Sequence, residues 1–363
     1  MTPQLSLFFF SADSAEQPGN KYQMLLESAK FADEHGFTAV WTPERHFQRF
    51  GGLYGSPSVT GAALAVTTKR ISIRAGSVVV PLQNALRVAE EWAMIDNLSN
   101  GRVAIAAASG WHANDFVLSP DTYQNRYPNM FEKIAMIQKL WRGEKVSLAN
   151  GMGVETEVNI LPAPIQKELP IWLTGQSDDT FSNAGRLGFN VLTANFSLNH
   201  DLNEFVRKAK IYRDAMQKHH GRRGHITLMA HTFVGDSDEE VKAIAQPAMA
   251  EYLKANIEMQ KDHSAGTKDD RGVSRKVSWV KPELSRLSEQ ETEIMIKFQV
   301  GKDLRSPLSF IGTFDQCAQQ AERLSENGVD EIACLIDFGV GFSDVMASLG
   351  RLSGLLVKCP TEN

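Results

Sequence analysis

The sequence predicts a (β/α)8 TIM barrel, an α/β fold, and its patterning supports this class in two ways. Eight short apolar runs alternate with longer amphipathic stretches along the 363 residues. The runs are apolar throughout, which is typical of strands buried on both faces of a parallel sheet. Eight strand–helix units over this length favour a closed barrel over an open sheet. We therefore expect one domain that spans residues 1–363.

Each element is assigned from its period and its boundaries. Apolar residues at helical spacing indicate the helices, and Gly36 ends the first of them. The strands are predicted at residues 5–10, 38–41, 71–80, 103–107, 171–173, 190–193, 226–234 and 331–337. The helices are predicted at residues 21–35, 57–68, 85–98, 126–142, 178–187, 202–220, 313–327 and 342–357.

Two segments interrupt this repeat and are interpreted as insertions. Residues 145–160 have the pattern of a short hairpin. Residues 259–306 are polar and charged, and a long irregular segment in a compact barrel is usually a lid or a disordered loop. We predict that they contain a lid that ligands order in part.

Composition and missing motifs exclude several classes of protein. The net charge of −5, from 38 basic and 43 acidic residues, argues against nucleic-acid binding through phosphates. The longest early apolar run has six residues, whereas a membrane span needs about 20, so none is expected. Three cysteines suggest a reducing, cytoplasmic setting without a disulfide framework. The short motifs of nicotinamide, nucleoside-triphosphate and zinc sites are absent from the sequence, and no metal is expected.

Three consecutive polar residues follow the second predicted strand. Chemistry in such barrels gathers at the carboxyl ends of the strands. Glu44, Arg45 and His46 lie at such an end, where they can serve as acid, base and anion clamp. The alternative is a loop in which Glu44 and Arg45 neutralise each other. At a barrel mouth the functional interpretation is favoured, and we predict that these three residues are catalytic.

Small and anion-binding residues follow the third and fourth strands. Gly76 and Ser77 come after the third strand, and a glycine lets a planar ligand approach the backbone closely. Tight packing of the barrel end is the alternative there. Arg126 begins the helix after the fourth strand. It can bind an anion with charge assistance, or it can pair with a local carboxylate.

The turn after the fifth strand has the residues of a phosphate site. Residues 174–180 combine a glycine, hydroxyl side chains and the free N–H groups of a helix N-terminus. Capping of the helix by Ser177 or Asp178 is the simpler alternative. Asp178 and Asp179 oppose a phosphate there unless their side chains point away.

Several blocks of sequence resemble one family when they are taken together. They are the opening strand, residues 42–47, 71–81, 98–102 and 125–126, and residues 312–313 leading into 328–331. With these blocks the chain resembles the bacterial luciferase-like monooxygenases over nearly its whole length. Residues 328–339 resemble the subgroup found with polyketide and nonribosomal-peptide assembly lines.

The resemblance implies a barrel that takes reduced FMN from a separate flavin reductase and uses O2 to oxygenate a substrate. Arg45 stands where the luciferases have an active-site histidine, which puts light-emitting aldehyde oxidation in doubt. Ser109 stands where the family usually has an arginine that binds phosphate. In the family, a cis peptide bond often lies where this chain has Gly76 and Ser77. The cofactor-binding residues that the resemblance implies are Gly76, Ser77, Ser109, Arg126, Gly175, Gln176, Ser177 and Thr180.

The reaction and the substrate remain open at this point. His46 can maintain the protonated state that a hydroxylation needs, whereas Arg45 can stabilise the anion that a Baeyer–Villiger oxygenation needs. The subgroup favours hydroxylation of an acyl chain bound to an acyl carrier protein. The alternatives are a deazaflavin-dependent oxidoreductase, a non-catalytic flavin-binding protein and an unrelated barrel hydrolase.

Three further expectations concern the walls of the active site, the oligomeric state and the charge of the protein surface. Apolar walls that exclude water are expected from Phe8, Phe10, Trp41, Phe47 and Trp111. A homodimer is also expected. A basic surface for an acidic carrier protein is expected from Arg222, Arg223, Lys268, Arg271, Arg275 and Lys276.

Overall fold

The computed structural model describes residues 2–11, 20–194, 201–266, 288–304 and 306–357. The strands are β1 (Gln4–Phe8), β2 (Ala39–Thr42), β3 (Ser72–Val79), β4 (Val103–Ala108), β5 (Val146–Ala149), β6 (Glu155–Val158), β7 (Ile171–Thr174), β8 (Asn190–Ala194), β9 (Ile226–Gly235), β10 (Phe310–Thr313) and β11 (Glu331–Leu335). The helices are α1 (Gln23–Glu34), α2 (Pro57–Thr67), α3 (Ala85–Ser99), α4 (Arg126–Trp141), α5 (Asp178–Leu187), α6 (Leu202–His220), α7 (Asp238–Gly266), α8 (Glu289–Leu304), α9 (Phe314–Glu326) and α10 (Phe342–Val357).

Eight of these strands form a closed parallel barrel, which confirms the predicted fold. The order around the wall is β1, β2, β3, β4, β7, β8, β9 and β11, and β11 pairs with β1 to close it. Strands β2, β9 and β11 are buried along their whole length. Burial on both faces is the reason that these strands are apolar throughout rather than alternating.

A layer of aromatic and charged side chains fills the barrel towards the amino ends of its strands. The rings of Trp41 on β2 and Trp172 on β7 lie 5.4 Å apart, although two strands separate β2 from β7 in the wall. They therefore meet across the interior. The guanidinium of Arg74 lies 4.9 and 4.7 Å from their ring centres and pairs with Glu331 at 2.8 Å. Burial opposes ionisation of Glu331, but the charge of Arg74 and the hydrogen bonds from His225 and Ser6 together outweigh it and keep the pKa of Glu331 well below its usual range.

The first of the two segments that interrupt the repeat is a hairpin, and the second is helical at both of its described ends. Strands β5 and β6 pair in antiparallel fashion as the expected hairpin. The prediction of an irregular segment at residues 259–306 is wrong where the structure describes it, because α7 extends to Gly266 and α8 covers Glu289–Leu304. Both helices are rich in charged residues, and Pro247 lies inside α7, so neither has a plain amphipathic pattern. Residues 267–287, with Lys268, Arg271, Arg275 and Lys276, lie outside the described residues.

Two smaller features of the fold also bear on function. Arg222 and Arg223 precede β9, at the amino ends of the barrel strands, where Arg223 pairs with Asp330 at 2.8 Å. They therefore lie at the end of the barrel opposite the mouth, and the basic surface for a carrier protein stays a prediction. Among the helices that the structure describes, none is long and apolar enough to cross a membrane.

Candidate active site

A cavity of about 780 Å³ lies at the carboxyl ends of the barrel strands. A volume of this size is typical of pockets for small molecules and cofactors. All but one of the predicted site residues line it, and the exception is His46. The lining members of that set are Glu44, Arg45, Gly76, Ser77, Ser109, Arg126, Gly175, Gln176, Ser177 and Thr180. The structure thus brings these residues together, and their individual roles stay predictions.

The N-terminus of α5 forms one side of the cavity. Ser177 is the N-cap, and its Oγ accepts a hydrogen bond from the backbone N–H of Thr180 at 3.2 Å. Asp178 points away and pairs with Arg207 through two hydrogen bonds of 2.7 Å. Asp179 does line the cavity. One of the two acidic residues that opposed a phosphate site is therefore directed elsewhere.

Arg126 lies beside this helix terminus, at the start of α4. Its Nε donates to the carbonyl oxygen of Gly110 at 3.2 Å, and its Nη1 donates to that of Tyr123 at 2.7 Å. Its guanidinium also lies 4.6 Å from the centre of the Tyr123 ring. No carboxylate among the described residues pairs with it, so its charge is available to an anion in the cavity.

The peptide bond between Gly76 and Ser77 is cis, as the resemblance implied. A Cβ at Gly76 would lie 2.7 Å from the ring of Phe8 and 3.1 Å from Trp41, so packing of the barrel end accounts for this glycine. Ser77 Oγ lies 2.6 Å from Thr174 Oγ1, and this contact joins the ends of β3 and β7. Both Gly76 and Ser77 line the cavity.

Glu44 is a buried acceptor that three groups hold in place. Its Oε2 accepts from the backbone N–H of Val79 at 2.6 Å. Its Oε1 lies 3.0 Å from His46 Nε2 and accepts from Gln83 Nε2. His46 is thereby directed towards Glu44 rather than into the cavity. The alternative in which Glu44 and Arg45 neutralise each other does not describe this loop, since Arg45 pairs with another residue.

Arg45 forms a buried ion pair in the cavity wall. Its Nη1 lies 2.8 Å from Asp115 Oδ2, and both side chains are 5% exposed. The guanidinium lies 4.9 Å from the centre of the Trp111 ring, and Nη2 donates to Met259 Sδ at 2.7 Å. Burial raises the pKa of Asp115 and lowers that of Arg45, so desolvation weakens the charged state of both partners.

Four residues of this region were not among the predicted site residues. Asp115 lay in an unassigned turn after β4, and Tyr252, Asn256 and Met259 lie on α7, which was not predicted. Their spacing of four and three residues is the helical signal that places them on one face, and all three line the cavity.

A second buried carboxyl, that of Asp337, holds the loops at the mouth. It accepts from the N–H groups of Phe10 at 2.7 Å and Ser11 at 2.9 Å, and from the Tyr54 hydroxyl at 3.1 Å. Burial raises the pKa of Asp337 to about 6. Its hydrogen bonds tie the ends of β1 and β11 to the loop after β2.

The predicted apolar walls are only partly present. Phe8, Phe10 and Trp111 line the cavity. Trp41 instead belongs to the layer at the amino end of the barrel, and Phe47 is 64% exposed on a backbone with positive φ. Within the part of the chain that the structure describes, no cluster of side chains is suited to a metal ion.

Comparison with known proteins identifies the family. The model of the luciferase-like monooxygenases matches residues 4–331. The chain belongs to the luciferase-like monooxygenase family. It is a flavin-dependent monooxygenase, and the predicted cofactor, reduced FMN with O2 as co-substrate, is confirmed.

Three similar proteins illustrate this membership. The oxygenase component of flavin-dependent trigonelline monooxygenase from Acinetobacter baylyi is 26% identical over 368 residues, which cover 99% of this chain and 96% of the relative. Monooxygenase RslO1 from Streptomyces bottropensis has a TM-score of 0.75 at 18% identity, over 98% of this chain and 99% of its own. The third is the oxygenating constituent of 3,6-diketocamphane monooxygenase from Pseudomonas putida, a type II Baeyer–Villiger enzyme in complex with FMN. It has a TM-score of 0.72 at 17% identity, and the match covers 97% of this chain and 96% of its own. These two structures show a shared fold.

Proposed function

We propose that this protein is the oxygenase component of a two-component enzyme that hydroxylates a small organic substrate. A separate flavin reductase supplies the reduced FMN, because the sequence has no nicotinamide motif. The observation that carries the proposal is the joint lining of one cavity by Arg126 and the N-terminus of α5. A cation beside free helix N–H groups is a suitable site for the phosphate of FMN.

The residues at this end of the cavity fit a phosphate monoester. Arg126 has no carboxylate partner among the residues described, and its two hydrogen bonds go to backbone carbonyls. The hydroxyls of Ser177 and Thr180 are hydrogen-bonded to each other at 3.0 Å, which leaves one hydroxyl hydrogen to donate together with the N–H groups of α5. Strands β4 and β7, which precede α4 and α5, are neighbours in the wall, so both sets of donors serve the same point.

The wall on the other side of the cavity excludes water and contains a group that can hold a proton. When bound, reduced FMN supplies the electrons that activate O2, and the protein must then exclude water. Phe8, Phe10 and Trp111 form an apolar lining. Asp115 is the carboxyl beside them whose pKa burial raises, so it can hold a proton at the cavity. A proton donor at the cavity is what a hydroxylation needs, so this wall favours hydroxylation over Baeyer–Villiger oxygenation.

The experiment measures product formed per flavin oxidised, as a function of pH. In the wild type the product rate should fall as pH rises through the raised pKa of Asp115, since the protonated form acts. Asp115→Asn should lower the product rate about 10²–10⁴-fold and remove this pH dependence. Oxidation of reduced FMN should continue. The sequence-based hypothesis assigns the same loss to His46→Ala. A large loss in that variant, with Asp115→Asn unaffected, would return the role to His46.

The substrate predicted from sequence, a carrier-bound acyl chain of natural-product biosynthesis, is tested separately. Arg222 and Arg223 lie at the end of the barrel away from the mouth, so the described geometry supports a free substrate. One acyl chain is compared as carrier thioester, as short thioester and as free acid. We expect the carrier thioester to have no advantage in kcat/KM over the short thioester, and a clear preference for the carrier form would support the acyl carrier protein as a partner.

A homodimer is proposed from an apolar patch on α2 and α3. Val59 and Val66 lie seven residues apart on α2 and are each 70% exposed. Met94 and Leu98 on the adjacent α3 are 53% and 55% exposed. Exposed apolar side chains grouped on adjacent helices are typical of subunit interfaces.

A further inference from the structure

An aromatic cluster lies across the mouth from the phosphate end. Phe10 follows β1, Phe50 lies in the loop after β2, and Tyr252 lies on α7 after β9. In the ring of eight strands, these positions surround β1 and β11, which are opposite β4 and β7. The Phe50 ring lies 5.2 Å from Phe10 and 4.8 Å from Tyr252, and all three line the cavity. A cofactor whose phosphate is held beside β4 and β7 leaves this region to the substrate.

Arg45 presents an incompletely bonded edge beside this cluster. A guanidinium has five N–H donors, and buried donors are normally paired. Asp115 accepts from Nη1, Met259 Sδ is the partner of Nη2, and the buried Nε has no partner among the described residues. A thioether is a weak acceptor. Nε and Nη2 form one side of the guanidinium, the side that binds both oxygens of a carboxylate in bidentate pairs.

The aromatic cluster and this edge are close enough to contact one ligand. A Cβ placed on Gly51 would lie 2.9 Å from the Phe10 ring and 3.1 Å from Cγ of Arg45, so both side chains pack on the same glycine. One face of the guanidinium is covered by Trp111. A flat ligand on Phe10 and Phe50 therefore lies beside the Nε–Nη2 edge of Arg45, and a substituent on its ring can bind that edge once the Met259 side chain moves away.

The charges around Arg45 and Asp115 allow Arg45 to bind an anionic substituent of the ligand. The groups that face Asp115 are Arg45, His46 and Glu44, together with His112, whose Nδ1 lies 3.9 Å from Asp115 Oδ1. Three donors already hold Glu44. Burial favours the neutral form of Asp115, so a proton on Asp115 can compensate a second carboxylate on Arg45.

We propose that Arg45 and the cluster of Phe10, Phe50 and Tyr252 form the substrate subsite, and that the substrate is a small aromatic carboxylate. The carboxylate binds the Nε–Nη2 edge in place of the Met259 thioether, and the ring packs on Phe10 and Phe50. This inference rests on the proposed function, because it names the substrate class of the same site.

The test measures the binding of three probes by calorimetry on protein saturated with oxidised FMN, so that the phosphate end is filled. The probes are benzoate, cyclohexanecarboxylate and benzyl alcohol. Benzoate should bind at least tenfold more tightly than benzyl alcohol, which lacks the charge, and more tightly than cyclohexanecarboxylate, which lacks the aromatic ring. Equal affinities for the three probes, or no binding of benzoate, would overturn the proposal.

Two variants locate the subsite. Arg45→Lys keeps the charge beside Asp115 but removes the two-donor edge, and it should abolish the preference for benzoate over benzyl alcohol. Phe50→Leu should remove the preference for benzoate over cyclohexanecarboxylate while both still bind. Arg142→Ala, on the exposed end of α4, serves as the control and should leave all three affinities unchanged. Retention of both preferences in the first two variants would contradict the assignment.

The readout separates this inference from the proposed function. Probe affinities are measured without turnover, so a failure of the subsite appears as a loss of discrimination among probes. A failure of the monooxygenase function would appear as reduced FMN that is oxidised without forming product from any substrate.

Discussion

Replacing Arg126 with alanine should weaken FMN binding in a way that depends on the phosphate. A charge-assisted hydrogen bond typically contributes about 1.5–3 kcal/mol. Arg126 is only partly buried, and solvent screens part of its interaction. We therefore expect the lower part of this range, about 1.5–2 kcal/mol, which corresponds to a Kd raised roughly 10- to 30-fold.

The assay is an anaerobic titration of reduced FMN and of reduced riboflavin, which has the same ring but no phosphate. Arg126→Ala should weaken the binding of FMN and leave that of riboflavin within about twofold of the wild type, a change of about 0.4 kcal/mol. The matched control is Arg142→Ala, at the opposite end of α4, where the arginine pairs with Glu144 on the surface. An equal loss for both flavins would show that Arg126 supports the fold of the site and does not contact the phosphate.

Three further outcomes follow from the buried charges and the apolar patch. Burial raises the pKa of Asp337 to about 6 from 3.8. The protonated Asp337 carboxyl therefore contributes fully to the free energy of unfolding below pH 3.8, and this contribution is lost as pH rises through about 6. Urea denaturation from pH 4 to 7 should show that the wild type loses about 2.4 kcal/mol more than Asp337→Asn, and parallel curves would refute this. Arg45→Met should lower the free energy of unfolding by about 3–5 kcal/mol, and adding Asp115→Leu should restore most of it; a double variant as unstable as the single one would contradict the ion-pair argument. Val59→Lys combined with Leu98→Lys should turn a dimer into a monomer in light scattering after gel filtration, and a wild type that is already monomeric would exclude the proposed interface.

The sequence predicted the barrel well because strand burial leaves a strong local pattern. Runs such as Ile226–Gly235 are apolar at nearly every position, since they are buried on both faces. Helix α7 was not predicted, and the reason for this also lies in its local sequence. Its sequence is highly charged and Pro247 lies within it, so its inward face of Tyr252, Asn256 and Met259 does not stand out. The short β10 was missed because four residues at the edge of β9 carry too little pattern.

The partners of the site residues could not be predicted from the sequence, for a different reason. Asp115 lies 70 residues from Arg45, and Asp337 lies 327 residues from Phe10, so no local spacing connects them. Glu44 and Arg45 looked like partners because they are neighbours in the chain. In the fold each turns to a different element, Glu44 to the end of β3 and Arg45 to the turn after β4.

The layer of Arg74, Trp41, Trp172 and Glu331 has a consequence for molecular traffic through the enzyme. It fills the barrel below the cavity and closes it towards the amino ends of the strands, so exchange takes place at the carboxyl end of the barrel. Reduced flavin, oxygen, substrate and product must then pass this end, and whichever molecule lies nearest to it controls the exit of the others. Exchange of spent flavin with the reductase and release of product are therefore coupled steps.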